Sequence, residues 1–587
     1  MFFYLERAFA QPKTVEVILD EGHDRPAFIR PNALFLNKGK QQVISFETGN
    51  KSRLILMGDP VVSGRSILGE DGLPDENRLF EQIKGHYYWF WLTPDGLRCG
   101  SSFGAIFPVY YHKTPDGIAL CSSSVFLASR TGAEPGDKRN LLERLLFNYP
   151  FFGSTWWHGI GLLEAHRHIH LSGNRAETEG HFALERYFGA PEDTSRDSLA
   201  QLAELFQEEC RAFFPKEPFA VSLTGGFDGR TLAAAARKAG KSFFTYSFGR
   251  PGAPDVATPE KQSRRLGIPY HPVTLDEQYL DRHALDSAED FMRLTEYNGN
   301  LGRPHYRYAA EALSEKTRYI ATGNFGSELF RALHIPGVMM SRPLIDVFSA
   351  PDDSWKDILR AETAIWGRDA FAEETDALIA DLEAYLRQSE GMDPNHRFYI
   401  FVFGEIFRKY FGPELIMQSH FLNNRTPYLN LHFFKALNRT IWSGVHSRLF
   451  EKVKSRRMKG QLFYATFLRH TDRLLYTLPT TKGYSPADVY EPWRMPMLAG
   501  GVLTRKYLKK EFADDNAVDA FFSRYHRAIS GEWNAAEMPS PEIRAMLAGA
   551  PSEISGGKYF EKWIKLYSIL YGWHAVCHQP AEEIPVR

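Results

Sequence analysis

The sequence predicts a mixed architecture: an antiparallel β-rich sandwich over residues 1–195, then an open parallel α/β domain with helical additions over 196–587. Three observations carry this. Between Tyr87 and Ser123, short aromatic and β-branched runs are punctuated by Thr93-Pro94-Asp95-Gly96 and Thr114-Pro115-Asp116-Gly117. Proline presets φ and glycine accepts positive φ, so both are turn sequences and the region reads as a β-meander. From Phe219 strand-like and helix-like runs alternate at the spacing of βαβ units and a parallel sheet. After about Asp353 the chain reads as helical and aromatic-rich through Gly572.

In chain order, MFFYLERAFAQPK carries Glu6 and Arg7 inside its short apolar stretch and lacks a signal-peptide core. Lys138 to Phe147 is helix-like and Ile160 to Leu171 strand-rich, and the polar segment Ala190 to Ser198 marks the domain boundary. There follow strand FAVSLT from Phe219, helix GRTLAAAARKA from Gly229, strand SFFTYSFG from Ser242, helix TPEKQSRRLG from Thr258 and strand IPYHPVTL from Ile268. A further strand, Arg318 to Thr322, runs through a loop into the helix-like SELFRAL from Ser327. Ligands of such open sheets sit at the carboxyl ends of the strands. The final QPAEEIPVR reads as a loose tail.

With 587 residues, 43% of them hydrophobic, the chain can bury large cores in about two to four domains. Its 70 basic and 71 acidic residues leave a formal charge of -1, which argues against nucleic acid or an anionic membrane as partner. Four scattered cysteines without a CxxC argue against a zinc site or disulfide framework and for a reducing compartment. No run of about 18 apolar residues suggests a membrane span, so the expected location is cytoplasmic. No internal repeat is visible.

The stretch FAVSLTGGFDGRTLAAAARKAG, Phe219 to Gly240, joins a strand to a helix through two glycines and an aspartate. Backbone N–H groups and the positive end of a helix dipole can face an anion there, and Gly225 and Gly226 let it approach closely. No Gly-Lys-Ser/Thr makes it a Walker loop, and no third spaced glycine makes it a dinucleotide fold. Asp228 beside a phosphate would serve to hold Mg²⁺. A plain glycine turn with a solvated aspartate reads the same residues equally well.

Ser-Leu-Thr-Gly-Gly-Phe-Asp (Ser222 to Asp228) resembles the SGGxDS pyrophosphate loop of the asparagine synthetase family, and Tyr246 to Asp255 is similar to its FxxGxPGSPD segment. Thr322 to Phe330 looks like the family's SGEGSDEVF, Asn424 to Asn430 like its ARVPFLD, and Leu478 to Tyr484 like the segment bearing its active-site lysine. In the first part, Gly104 to Tyr111 and Ala119 to Ala128 resemble segments of the family's glutaminase domain. The likeness runs from about residue 85 to 490.

The resemblance implies adenylation of a substrate carboxylate by ATP, then displacement of AMP by an amine. It assigns the nucleotide to Ser222, Thr224, Gly225, Gly226, Asp228, Gly229, Arg230, Ser247, Phe248, Gly249 and Gly323. It assigns Mg²⁺ to Asp228 and Glu328, and catalytic roles to Lys482 and Glu328. Thr224 keeps a hydroxyl where the family has its first serine, whereas Gly229 replaces a serine and removes one. In a gapless comparison Ser327 falls on the second metal position; a shift of one residue puts Glu328 there and Phe325 at the tyrosine of β-lactam synthetases, disfavouring a β-lactam product. Arg230 points either to a phosphate or to solvent. Glu296-Tyr297, ahead of Pro304-His305, lines an acyl pocket or an ordinary helix surface. Lys452, Lys454, Arg456, Arg457 and Lys459 read as a solvated basic run.

The family's glutaminase nucleophile is an exposed first-residue cysteine. Here the chain opens Met1-Phe2-Phe3, and Cys99 and Cys121 fall inside predicted strands, so the first domain is expected to be an inactive glutaminase-like one. The expected function is an AMP-forming amide ligase whose carboxylate and amine substrates are small molecules, peptides or saccharides. A lasso-type peptide cyclase and a non-catalytic binding or regulatory descendant are the alternatives, and a homodimer stays open.

Overall fold

The computed structural model describes residues 1–9, 15–20, 32–48, 51–62, 82–331, 333, 339–350, 352–447, 459–507, 514–531, 533, 537–555 and 560–578. Lys452, Lys454, Arg456 and Arg457 of the basic run, and the tail 579–587, lie outside the described residues.

Strands β1 (Phe2–Ala8), β2 (Glu16–Asp20), β3 (Ala33–Asn37), β4 (Gln42–Thr48), β5 (Ser52–Val62), β6 (Ile83–Thr93) and β7 (Gly96–Ser101) open the chain. They are followed by β8 (Tyr110–Thr114), β9 (Gly117–Cys121), β10 (Ile160–Leu162), β11 (Arg167–Ser172) and β12 (Arg175–Gly180). Two six-stranded sheets result, in the orders β10-β8-β9-β1-β3-β2 and β12-β11-β7-β6-β5-β4. Every pairing is antiparallel except β2 with β3. Successive side chains of a strand point to opposite faces, and from β6 Tyr88 and Phe90 meet Phe3 of β1 at ring distances of 4.9 and 5.1 Å. That contact joins the sheets.

The Tyr87 to Ser123 stretch is therefore not one meander: its two hairpins, β6–β7 and β8–β9, belong to opposite sheets. Nor do the turn glycines supply positive φ. A Cβ at Gly96 would stand 1.8 Å from the Leu171 carbonyl oxygen, and one at Gly117 2.5 Å from that of Arg7. These glycines admit a neighbouring strand. The helix Lys138–Phe147 forms as expected, started by Asp137, whose carboxylate accepts the Asn140 N–H at 3.0 Å, and ended by left-handed Asn148.

The second part carries five parallel strands, β13 (Phe219–Ser222), β14 (Phe243–Gly249), β15 (Tyr270–Thr274), β16 (Tyr319–Ala321) and β17 (Asn423–Arg425), in the order β15-β14-β13-β16-β17. Phe219, Ala220 and Val221 are fully buried, as a central parallel strand covered on both faces requires. From β13 the chain steps outward through β14 and β15, then returns to the other side for β16. The boundary between β13 and its hydrogen-bonded neighbour β16 is thus a topological switch point, the place at which open α/β sheets bind ligands. The helix after β14 begins at Pro254, not Thr258: proline sits in its first turn, where no intrahelical N–H is needed, and Pro259 is carried inside it. The rest is chiefly helical, although β17 interrupts that region to finish the sheet.

The two parts are bolted together near that edge. Arg425 of β17 pairs with Asp59 of β5 through two hydrogen bonds of 2.8 and 3.0 Å, and His86 Nε2 lies 2.9 Å from Thr426 Oγ1. Among the described residues, no helix is long and apolar enough to cross a membrane.

Candidate functional site

The loop Leu223–Phe227 leaves β13 at the switch point and opens the helix Asp228–Lys238. No side chain of the described residues caps that helix, so its first-turn N–H groups face the loop with the positive end of the dipole. The Gly225 N–H already serves an anionic oxygen, Asp255 Oδ1 at 3.1 Å. Thr224 is exposed and its hydroxyl accepts the Gly226 N–H at 3.4 Å.

Close packing explains the glycines. At Gly225 a Cβ would fall 1.9 Å from Thr481 Cγ2, and the Thr481 N–H donates to the Gly225 carbonyl at 3.1 Å, docking the Lys482 segment on the loop. At Gly229 a Cβ would lie 2.0 Å from the Ser222 carbonyl oxygen, so the backbone here has no room for the serine of the resemblance. At Gly323, in the loop after β16, it would lie 2.5 Å from Asp228 Cβ. Three segments remote in sequence therefore converge on Asp228.

Asp228 is half-buried, and its Oδ1 is sealed from water without a hydrogen-bond partner among the described residues. Burial pushes its pKa up to about 6, and the nearby Glu328 adds to the rise; the Tyr464 hydroxyl, Arg331 and Lys482 oppose it. Tyr464 stands close enough to lower the value, yet its hydroxyl completes no hydrogen bond of good geometry. Tyr428 donates to the Asp228 carbonyl at 3.3 Å.

Glu328, 7% exposed, accepts the Ser327 hydroxyl at 2.8 Å and Arg331 at 2.5 Å. Ser327 is thus a partner of Glu328, and Glu328 is the carboxylate whose charge is felt at Asp228. Two neighbouring carboxylates, one with an orphaned oxygen, suit a hard cation. Among the described residues no group of three or more His, Cys, Asp or Glu could enclose one, so such a cation would complete its shell with ligand oxygens and water. Lys482 is exposed and reaches Asp228 through its field.

Arg230 points neither to phosphate nor to solvent. Fully buried, it donates to the carbonyls of Leu475, Leu478 and Pro479, and burial brings its pKa down to about 9. It tethers the segment that carries Lys482. Ser247 is also turned inward, with its hydroxyl 2.6 Å from that of Tyr270, while the Phe248 ring packs on His305 and Tyr306 at 5.0 and 5.2 Å. Gly249 lies under the Asp515 carbonyl, 3.1 Å from a Cβ placed there.

Phe325 adopts φ 71° with its ring buried 4.1 Å from that of Phe411, so no hydroxyl faces the site from this position. Glu296 and Tyr297 are consecutive left-handed residues beyond the end of the helix Ala284–Leu294, not a helix surface. Glu296 lines a cavity shared with Met1 and Phe2. Phe2 itself is buried against Phe126, and Cys99 and Cys121 are buried free thiols, burial raising that of Cys99.

Asp255, Tyr428, Tyr464 and Arg331 join the site without having been singled out for these contacts. Tyr464 comes from the distant helix Lys459–Thr471 and bears no local signal. Compared with protein-family models and with curated proteins, the chain matches none.

Proposed function

We propose that the chain is an ATP-dependent, AMP-forming amide ligase whose amine does not come from glutamine hydrolysed by its own first domain. The observation that carries this reading is the convergence of the loops 223–227, 322–328 and 479–483 on Asp228 at the switch point, together with the resemblance of each loop to the asparagine synthetase family. Binding at this place uses the loop amides and the uncapped helix start for the β- and γ-phosphates. Asp228 and Glu328 would hold Mg²⁺, which when bound offsets the charge that grows on pyrophosphate.

An oxygen of the substrate carboxylate attacks the α-phosphorus as the bond to pyrophosphate breaks. The amine then attacks the acyl carbon, AMP leaves with the bonding pair, and the amine nitrogen loses a proton. Lys482, a mobile point charge docked beside the loop through Thr481, stabilises the negative charge developing on the α-phosphate. Cys99 and Cys121, the thiols of the first part, are buried in strands β7 and β9, which supports an amine from another source.

Calorimetry with Mg-ATP and exchange of labelled pyrophosphate into ATP over a panel of carboxylic acids test the reading. The native protein should bind Mg-ATP, and Asp228→Ala should lose at least about tenfold in affinity and all exchange while remaining folded. A native protein that binds no Mg-ATP would refute the proposal.

A further inference from the structure

Away from this loop, β1 and the segments that follow it meet the helix Phe407–Ser419 around a cavity of about 110 Å³. Its walls are largely aromatic and aliphatic, including Phe2, Tyr88, Tyr149, Trp156 and Ile416. An apolar cavity of about 150 Å³ admits benzene, so this one has room for a more compact organic molecule.

Four Lys or Arg side chains reach the lining: Arg144, Arg293, Arg408 and Lys409. Three are ion-paired, Arg408 and Lys409 with the one carboxylate of Glu405 and Arg293 with Asp290. Arg144 is not. It is 5% exposed, its guanidinium carbon lies 4.0 Å from the Trp156 ring centre, and its hydrogen bonds go to two neutral amides, Asn140 Oδ1 at 2.7 Å and Asn298 Oδ1 at 2.5 Å. Among the described residues it forms no ion pair with a carboxylate, and Glu143, paired with Arg139, acts on it through its field. Burial brings its pKa down to about 9, which still leaves it charged at neutral pH.

A buried, unneutralised cation is costly, and ring stacking with two amide bonds returns only part of that cost. The acid in the lining, Glu296, is engaged elsewhere, accepting the Ser124 N–H at 2.8 Å and its hydroxyl at 2.7 Å. We propose that this cavity is a binding site for a small organic monocarboxylate, its carboxylate pairing with Arg144 and its short apolar body packing against the aromatic walls. A planar guanidinium matches a carboxylate with two parallel hydrogen bonds, and the apolar walls reward an apolar tail. The inference is independent of the ligase reading.

Butyrate, its neutral isostere butyramide, and chloride distinguish the components of this claim in calorimetric titrations of the full chain. Butyrate should bind one per chain, about tenfold or more tighter than butyramide, and chloride should not displace it at equal concentration. Arg144→Gln should abolish the preference for butyrate. Because a buried substitution can unfold the chain, Ile416→Trp provides a second variant, which fills the space, leaves Arg144 in place and should eliminate binding. No butyrate binding, equal affinity for butyramide, displacement by equimolar chloride, or unchanged butyrate binding in either folded variant would overturn the proposal.

Discussion

At the scale of single residues, Gly229 shows how a residue that reads as a missing ligand can be a packing requirement. A Cβ 2.0 Å from a backbone oxygen cannot be accommodated by rotating a side chain; the start of the helix must move off the end of β13. Gly229→Ser should therefore cost about 1–3 kcal/mol or more in denaturant unfolding and bring no gain in Mg-ATP affinity. A tighter-binding, equally stable variant would show that the hydroxyl fits after all. Asp228, Glu328 and Lys482 were visible in the sequence because each lies in a short motif whose glycines and neighbours announce it. Tyr464 was not, since a tyrosine in an amphipathic helix looks like core until the fold brings it to Asp228. The direction of Arg230 was equally hidden: its three acceptors lie more than two hundred residues downstream.

At the scale of elements, local signals placed what local chemistry decides. The buried run Phe219–Ser222, the helix Asp228–Lys238 and the strand Phe243–Gly249 follow from apolar runs, alanines and glycine breaks, to within two residues of their ends. Sheet membership is a long-range property, and so two hairpins with like turns went to different sheets. The short edge strand Asn423–Arg425 lies among helices and has no run of its own to advertise it. The segment Leu475–Gly483 is held in a similarly long-range way, by Arg230 beneath and by Gly225 beside it. Arg230→Met should leave three carbonyls short of a donor, cost about 2–4 kcal/mol, and speed amide exchange across 475–484. Unchanged exchange in that segment would show that the tether is dispensable.

At the scale of the whole molecule, stability is tied to the seam between the two parts. His86 of β6 sits there, 5% exposed, against Thr426 and near Asp59, and burial takes its pKa down to about 4 despite the opposing effect of Asp59. An unfolded chain would protonate this imidazole near pH 6.5, so between about pH 6.5 and 4 the unfolded state binds more protons and stability falls as pH falls. The contribution is at most about 3 kcal/mol, fully present above pH 6.5. Urea titrations across this window should show a shallower pH slope for His86→Gln, which keeps a partner for Thr426 but cannot titrate. An identical slope would mean that the seam is not where acid acts.

The parallel sheet is closed by a strand that pairs with Tyr319–Ala321 but is encoded more than a hundred residues later. During synthesis β16 must therefore wait, its outer edge unpaired, until Arg425 has left the ribosome. At about 5–20 residues per second this wait lasts roughly 5–20 s. For that interval the nascent chain presents an unpaired hydrogen-bonding edge, a template on which another chain can pair.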